Sequence, residues 1–175
     1  GIDPENLNYY RERAVSYARM TLNQEAISDL TFVINSLPNE KDYSCRGDLK
    51  SVIGDINGAI SDYTEATNIK SNHLLSCEVA WLKYKQSDFL GAINDCKKSL
   101  EIKSNSRSYF ILSVSEFDLG NIEKSLYYSN KAIDFDSIQS GSYWVRAECK
   151  ITLKDYEGAL NDLNKEIAMT PDSAE

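Results

Sequence analysis

A five-residue block recurs along this chain at a nearly constant interval. Gly58-Ala59-Ile60-Ser61-Asp62 returns as Gly91-Ala92-Ile93-Asn94-Asp95 and as Gly158-Ala159-Leu160-Asn161-Asp162. It is already present as Glu25-Ala26-Ile27-Ser28-Asp29, and a weaker copy stands at Glu123-Lys124-Ser125-Leu126. The small residues Ala26, Ala59, Ala92, Ser125 and Ala159 are thus spaced 33, 33, 33 and 34 residues apart. Pro38 and Pro171 are separated by the same four steps, and Ser71, Ser104 and Ser137 hold the places between them. Two independent series in one register mark an array of supersecondary units, each too small to bury its apolar face alone.

Each unit reads as two helices. Between the Pro/Ser stops lie some thirty residues with apolar side chains at i, i+3, i+4 and i+7, as in Ile56, Ala59, Ile60 and Tyr63. A central break falls at Gly54-Asp55, Ser87-Asp88, Gly120-Asn121 and Lys154-Asp155. Ten main helices and no sheet are expected. With 3 prolines and 8 glycines, the chain is too poor in turn residues for an all-β fold.

In this register the chain resembles the tetratricopeptide repeat family. Each repeat is numbered so that the recurring small residue is position 20. Position 4 is then Tyr10, Tyr43, Ser76, Tyr109 and Tyr143, where the family favours a bulky side chain. Position 8, small in the family, is Ala14, Gly47, Ala80, Ser113 and Ala147. Position 24 is Leu30, Tyr63, Cys96, Ser129 and Leu163, and the proline position, 32, keeps Pro38 and Pro171. The resemblance implies an all-α, right-handed α-solenoid of five helix-turn-helix repeats. It implies one domain over residues 7–171, with repeats at about 7–39, 40–72, 73–105, 106–138 and 139–172. Positions 8 and 20 also make physical sense, because two helices approach closely only where small side chains admit the partner's ridge.

The same register hides an ion pair. Position 7 is Arg13, Arg46 and Arg146 in repeats one, two and five, and position 23 is Asp29, Asp62 and Asp162. In a hairpin turning near position 15 these stand at one height and should meet. Repeat four changes both partners, to Leu112 and Tyr128. Repeat three keeps Asp95 but has Val79, leaving the acid to Lys83 or solvent. Two readings stand: half-exposed pairs of little weight, or partly buried pairs that set hairpin register.

The composition narrows the function. Hydrophobic residues make up 42% and charged residues 26%, as in a folded globular protein. The formal charge of −8 argues against a phosphate-backbone partner, so no nucleic acid is expected. No apolar run approaches a membrane span, and no membrane insertion is expected. Cys45, Cys77, Cys96 and Cys149 show no C-x-x-C spacing and share the chain with one histidine, His73. A zinc site and a disulfide framework are both poorly supported, and free thiols suggest a cytoplasmic protein. No phosphate-binding or zinc-protease motif is present, and no cofactor is expected. His73 reads as an exposed residue at the junction of repeats two and three. Cys77, at i+4 from it, is within reach for a Cys–His pair, a minor alternative.

The resemblance implies that first helices line a concave groove through positions 2, 5, 9, 12 and 13. A subclass grips chaperone C-terminal carboxylates with converging Lys, Arg and Asn side chains. Here the matching positions give Arg11 and Val15, then Cys45, then Leu74 and Glu78, so only Arg11 fits and that ligand is rejected. Groove positions instead hold Trp81, Tyr84, Phe110, Val114, Phe117, Trp144 and Ile151, with Arg11 and Arg19 at the N-terminal end. Such rings on an acidic protein suggest contacts with a protein or peptide, unless they pack between first helices as core.

The expected function is a non-catalytic scaffold binding a partner segment in the groove. The alternatives are an assembly module using its ends or convex face, and the docking domain of a longer enzyme. At the C-terminal end, position 27 changes from Val33, Ala66, Ser99 and Ala132 to Glu166, which reads as a polar outer face. Leu160, Leu163 and Ile167 form a stripe on the same helix, suggesting a weak homodimer through it, unless all three pack inward.

Overall fold

The computed structural model describes residues 4–137 and 141–169. Ten helices follow one another, in five hairpins. They are α1 (Pro4–Arg19), α2 (Asn23–Ser36), α3 (Glu40–Val52), α4 (Ile56–Ile69) and α5 (His73–Lys85). They continue with α6 (Phe89–Ile102), α7 (Ser106–Asp118), α8 (Ile122–Phe135), α9 (Ser142–Thr152) and α10 (Tyr156–Met169). No strand occurs among the described residues. The fold is an all-α solenoid of helix-turn-helix repeats, as the 33-residue period requires.

Two compact units are distinguished, Gly1–Leu82 and Lys83–Glu175, with the division inside α5. The first holds a cluster of Ala14, Ala26 and Leu30 and another of Ala59, Tyr63, Val79 and Leu82. The second is centred on Val114, Val145 and Cys149. All five residues at position 8 and all five at position 20 are buried. Where both are serine, in repeat four, the Ser125 hydroxyl donates to the Ser113 carbonyl at 2.8 Å, so the close approach leaves no hydroxyl stranded.

Every hairpin turns at the same residue. Position 15 has positive φ in all five repeats: Thr21, Gly54, Ser87, Gly120 and Lys154. Position 16 then caps the second helix. Asp55, Asp88 and Asp155 accept from the backbone N–H of Gly58, Gly91 and Gly158 at 2.9, 2.9 and 3.0 Å. A Cβ on any of these glycines would lie 2.0–2.2 Å from the capping carboxylate. The Asp and the Gly three residues on are therefore one device. Repeats one and four lack it, with Glu25 and Lys124 in place of the glycine and no side-chain cap at Leu22 or Asn121.

The first helices of repeats two, three and four are capped one residue later than the Pro/Ser series suggests, while α9 starts after Gly141 with no side-chain cap. Asn39 accepts from the N–H groups of Lys41 and Asp42, Asn72 from Leu74 and Asn105 from Ser108. In these three repeats asparagine, with a short acceptor matched to this geometry, is the start signal, and the preceding residue is the stop. Pro171 lies outside the described residues.

All three Arg–Asp pairs form with two parallel hydrogen bonds each. Arg13 meets Asp29 at 2.7 and 2.7 Å, Arg46 meets Asp62 at 2.9 and 2.7 Å, and Arg146 meets Asp162 at 2.8 and 2.6 Å. The aspartates are buried. In repeats two and five a lysine at position 11 joins them, Lys50 at 2.9 Å and Lys150 at 2.7 Å. Each arginine also lies over the tyrosine at position 4: Tyr10, Tyr43 or Tyr143. Of the two sequence readings, the buried one holds in repeats two and five, while the Arg13 side chain is half exposed. Asp95 does find Lys83, at 2.6 Å, and Lys98, at 3.0 Å.

Candidate interaction surfaces

In the first compact unit the facing sides of α1 and α3 enclose an open cavity of about 450 Å³. Its apolar lining is Ala14, Val15, Ala18, Leu30 and Leu49, and its polar lining is Arg11, Arg19, Asp42, Cys45 and Asp48. The α1 side is built from positions 5, 8, 9, 12 and 13, because residues three and four apart share a helix face. Ala14 and Ala18 keep the floor low, and Val15 stands exposed in it.

The polar groups have distinct states. Arg11 is already engaged: its Nε and Nη2 donate to the Asp42 carboxylate at 3.0 and 2.8 Å, and its Nη1 donates to Asn8 at 3.0 Å. Arg11 thus lines the cavity at its expected groove position, with its guanidinium engaged by a pairing that ties α1 to α3. Arg19 is exposed, and no ion pair holds it among the described residues. Asp48 accepts the Tyr63 hydroxyl at 2.7 Å. Burial, and then the charges of Asp48 and Asp42, push the Cys45 thiol up, so it stays protonated at neutral pH and is a poor nucleophile.

Sequence reasoning found the α1 arginines but missed the α3 wall. Positions 3, 6 and 10 of a following repeat, here Asp42, Cys45 and Leu49, complete the groove of the preceding one. Their spacing on one helix face was the available signal.

In the second compact unit the expected aromatic set divides. Val114 is only 5% exposed and belongs to the core cluster with Val145 and Cys149, so it is not a surface residue. Tyr84, Phe110 and Phe117 are half buried and pack against that cluster. Burial, and then a hydrogen bond to Asp118, push the Tyr84 phenol up to about 12. Phe110 closes over Gly141, where a Cβ would stand 2.9 Å from the ring. Trp144, 48% exposed, and Ile151 are the members of the set that present large apolar surface. Trp81 is half buried on the part of α5 that belongs to the first unit, and is not grouped with them.

The remaining chemistry recedes. His73 is half buried at the start of α5 rather than exposed in a turn, and Cys77 is 1% exposed, which removes its thiol from substrate. No group of three or more His, Cys, Asp or Glu suited to a metal occurs among the described residues. Among these residues no helix is long and apolar enough to cross a membrane.

No family model matches the chain. It is 30% identical over 80 residues to the mitochondrial import receptor subunit TOM70 of Saccharomyces cerevisiae, a match covering 46% of this chain. The chain spans 13% of the length of that relative. In structure it is similar to MamA from Desulfovibrio magneticus RS-1, with a TM-score of 0.82, 16% identity and 97% of each chain covered. It is also similar to a tetratricopeptide repeat protein from Parabacteroides merdae, with a TM-score of 0.76 and 19% identity, covering 95% of this chain and 66% of the other.

Proposed function

The chain has the tetratricopeptide-repeat fold, and from that premise we propose that it is a non-catalytic protein-interaction scaffold that receives a partner segment between α1 and α3. The carrying observation is the cavity there, in which Ala14, Val15, Ala18, Leu30 and Leu49 stand beside the charges of Arg11, Arg19, Asp42 and Asp48. Burying an apolar anchor on Val15, Ala18 and Leu49 supplies the affinity, since contact with exposed apolar surface is the favourable term. Arg19 gives the site a cation for an acidic group on the segment. Trp144 and Ile151 form a separate apolar contact on the second unit. Arg11, Tyr84, Phe110, Phe117 and Val114 act as supports of these surfaces, because their side chains are already paired or packed.

Selection from a displayed peptide library against the full chain tests this reading. The expected outcome is a family of peptides with a common apolar anchor, whose binding is lost with Val15→Glu and weakened with Arg19→Glu. Both residues are exposed, so helical circular dichroism should be unchanged. Peptides that bind the Val15→Glu variant as well as the wild type overturn it.

A further inference from the structure

One carboxylate in the lining of the α1–α3 cavity is held from behind. Tyr63, at position 24 of repeat two, is buried and donates its hydroxyl to Asp48 at 2.7 Å, and Asp48 lines the cavity. Leu30 and Leu163, at the same position in repeats one and five, have no group that could do this. The arrangement has a structural cost. The Tyr63 ring leaves no room for a Cβ on Gly47, where repeats one, three and five carry Ala14, Ala80 and Ala147. A helix-favouring alanine is given up, and a polar contact on the cavity lining is gained.

The charges of this lining fall into two kinds. Arg11 and Asp42 neutralise each other from α1 to α3 at 2.8 Å. Arg19 on the α1 wall and Asp48 on the α3 wall are both exposed, and no ion pair holds either among the described residues. Cys45, protonated at neutral pH, adds no further charge. The cavity therefore offers a partner one cation and one anion, on facing walls, together with the apolar surface of Val15, Ala18 and Leu49.

We propose that the partner-protein segment bound here carries a basic side chain that pairs with Asp48 and an acidic one that pairs with Arg19, on either side of its apolar anchor. This rests on the groove reading above and adds charge order to it. A carboxylate that already accepts from Tyr63 keeps acceptor capacity for a lysine or an arginine. A polyacidic segment, or a bare C-terminal carboxylate, would pair with Arg19 but meet a like charge at Asp48, and an all-basic one would meet Arg19; both are selected against. Tyr63 is a positioning residue: it holds the Asp48 side chain in place before the partner arrives, so less freedom is lost on binding.

The test is selection from a displayed peptide library, with one leucine fixed as anchor and the flanking positions free, against the full chain. Enriched peptides should carry Asp or Glu on one side of the anchor and Lys or Arg on the other. Asp48→Asn keeps an acceptor for the Tyr63 hydroxyl and removes the charge. It should weaken the selected peptides at least fivefold, and leave unchanged the binding of the same peptides with the basic residue replaced by alanine. Tyr63→Phe keeps the ring and should cause a smaller loss, again confined to peptides that carry the basic residue. A purely structural role would weaken both peptide sets alike. Asp48→Lys should select an acidic residue in place of the basic one. Peptides with the anchor but no charge order, or binding lost with Val15→Glu yet indifferent to Asp48→Asn, overturn this inference and leave the groove reading standing. Binding indifferent to Val15→Glu overturns both. So does selection of no peptide, and a dimer in sedimentation that Asp48→Asn weakens would then assign these charges to a second copy.

Discussion

The ring of Tyr63 lies where a side chain on Gly47 would begin: a Cβ there would stand 2.7 Å from Tyr63 Cε1. The repeats that carry leucine at position 24, Leu30 and Leu163, pair it with Ala14 and Ala147, and the one that carries tyrosine pairs it with glycine. Position 8 and position 24 thus share one volume. Tyr63 has little freedom to withdraw, being buried and donating its hydroxyl to Asp48. Gly47→Ala gains roughly 1 kcal/mol of helix propensity but overpacks the pair at a cost of about 1–3 kcal/mol. A net loss is expected in urea unfolding, and adding Tyr63→Leu should recover part of it. Gly47→Ala more stable than the wild type would contradict the shared volume.

The Asp–Gly caps should behave as pairs. Gly91→Ala forces the Asp88 carboxylate off the helix N-terminus, so it should cost about as much as losing a cap, roughly 1 kcal/mol. Once Asp88→Ala has removed the carboxylate, Gly91→Ala should be neutral or stabilising. Thermal or denaturant unfolding of the four-member cycle measures the coupling, and additive effects would mean that the two residues act independently.

Left-handed turn residues other than glycine are strained at position 15. Lys154, at φ 65°, occupies the place that Gly54 and Gly120 hold elsewhere. Lys154→Gly should stabilise by about 0.5–1 kcal/mol, the relief of a strained φ less the entropy that glycine adds to the unfolded chain. Gly120→Lys should do the reverse. The order of denaturation midpoints checks both.

The buried ion pairs predict a pH dependence. Burial alone would raise the Asp162 carboxyl, but hydrogen bonds and charge from Arg146 and Lys150 outweigh it and hold the group below its ordinary value. A depressed folded-state value means stability present above the unfolded value, about 3.9, and lost as pH falls through the folded one. Asp162→Asn should cost about 3 kcal/mol near neutrality, because two half-buried cations lose their partner. That deficit should narrow below about pH 4. Asp29→Asn, opposite the half-exposed Arg13, should cost less. Equal losses at the two sites, or a deficit constant down to pH 2, would contradict this assignment.

Sequence alone determined the architecture because the architecture is periodic. One short interval, repeated five times, specifies which residues are small, which are apolar and where each hairpin turns, and the facing of Arg46 and Asp62 follows from helix geometry within one hairpin. The caps were legible only in part: the stops stood out as Pro and Ser, while the asparagines that start the helices became evident from their hydrogen bonds. Side-chain availability was not legible. Arg11 and Arg19 look alike in the register, yet Arg11 is held by Asp42 from the neighbouring repeat and Arg19 is not. Val114 and Trp144 both occupy expected groove positions, yet one is core and the other exposed. Ile122 and Tyr156 share a repeat position, yet Ile122 packs half buried against a core cluster and Tyr156 is exposed. In each case the difference lies in what the adjacent repeat places against the side chain. A period specifies a helix face; whether that face is paired, packed or open is settled by contacts between segments distant in sequence, which only the tertiary structure brings together.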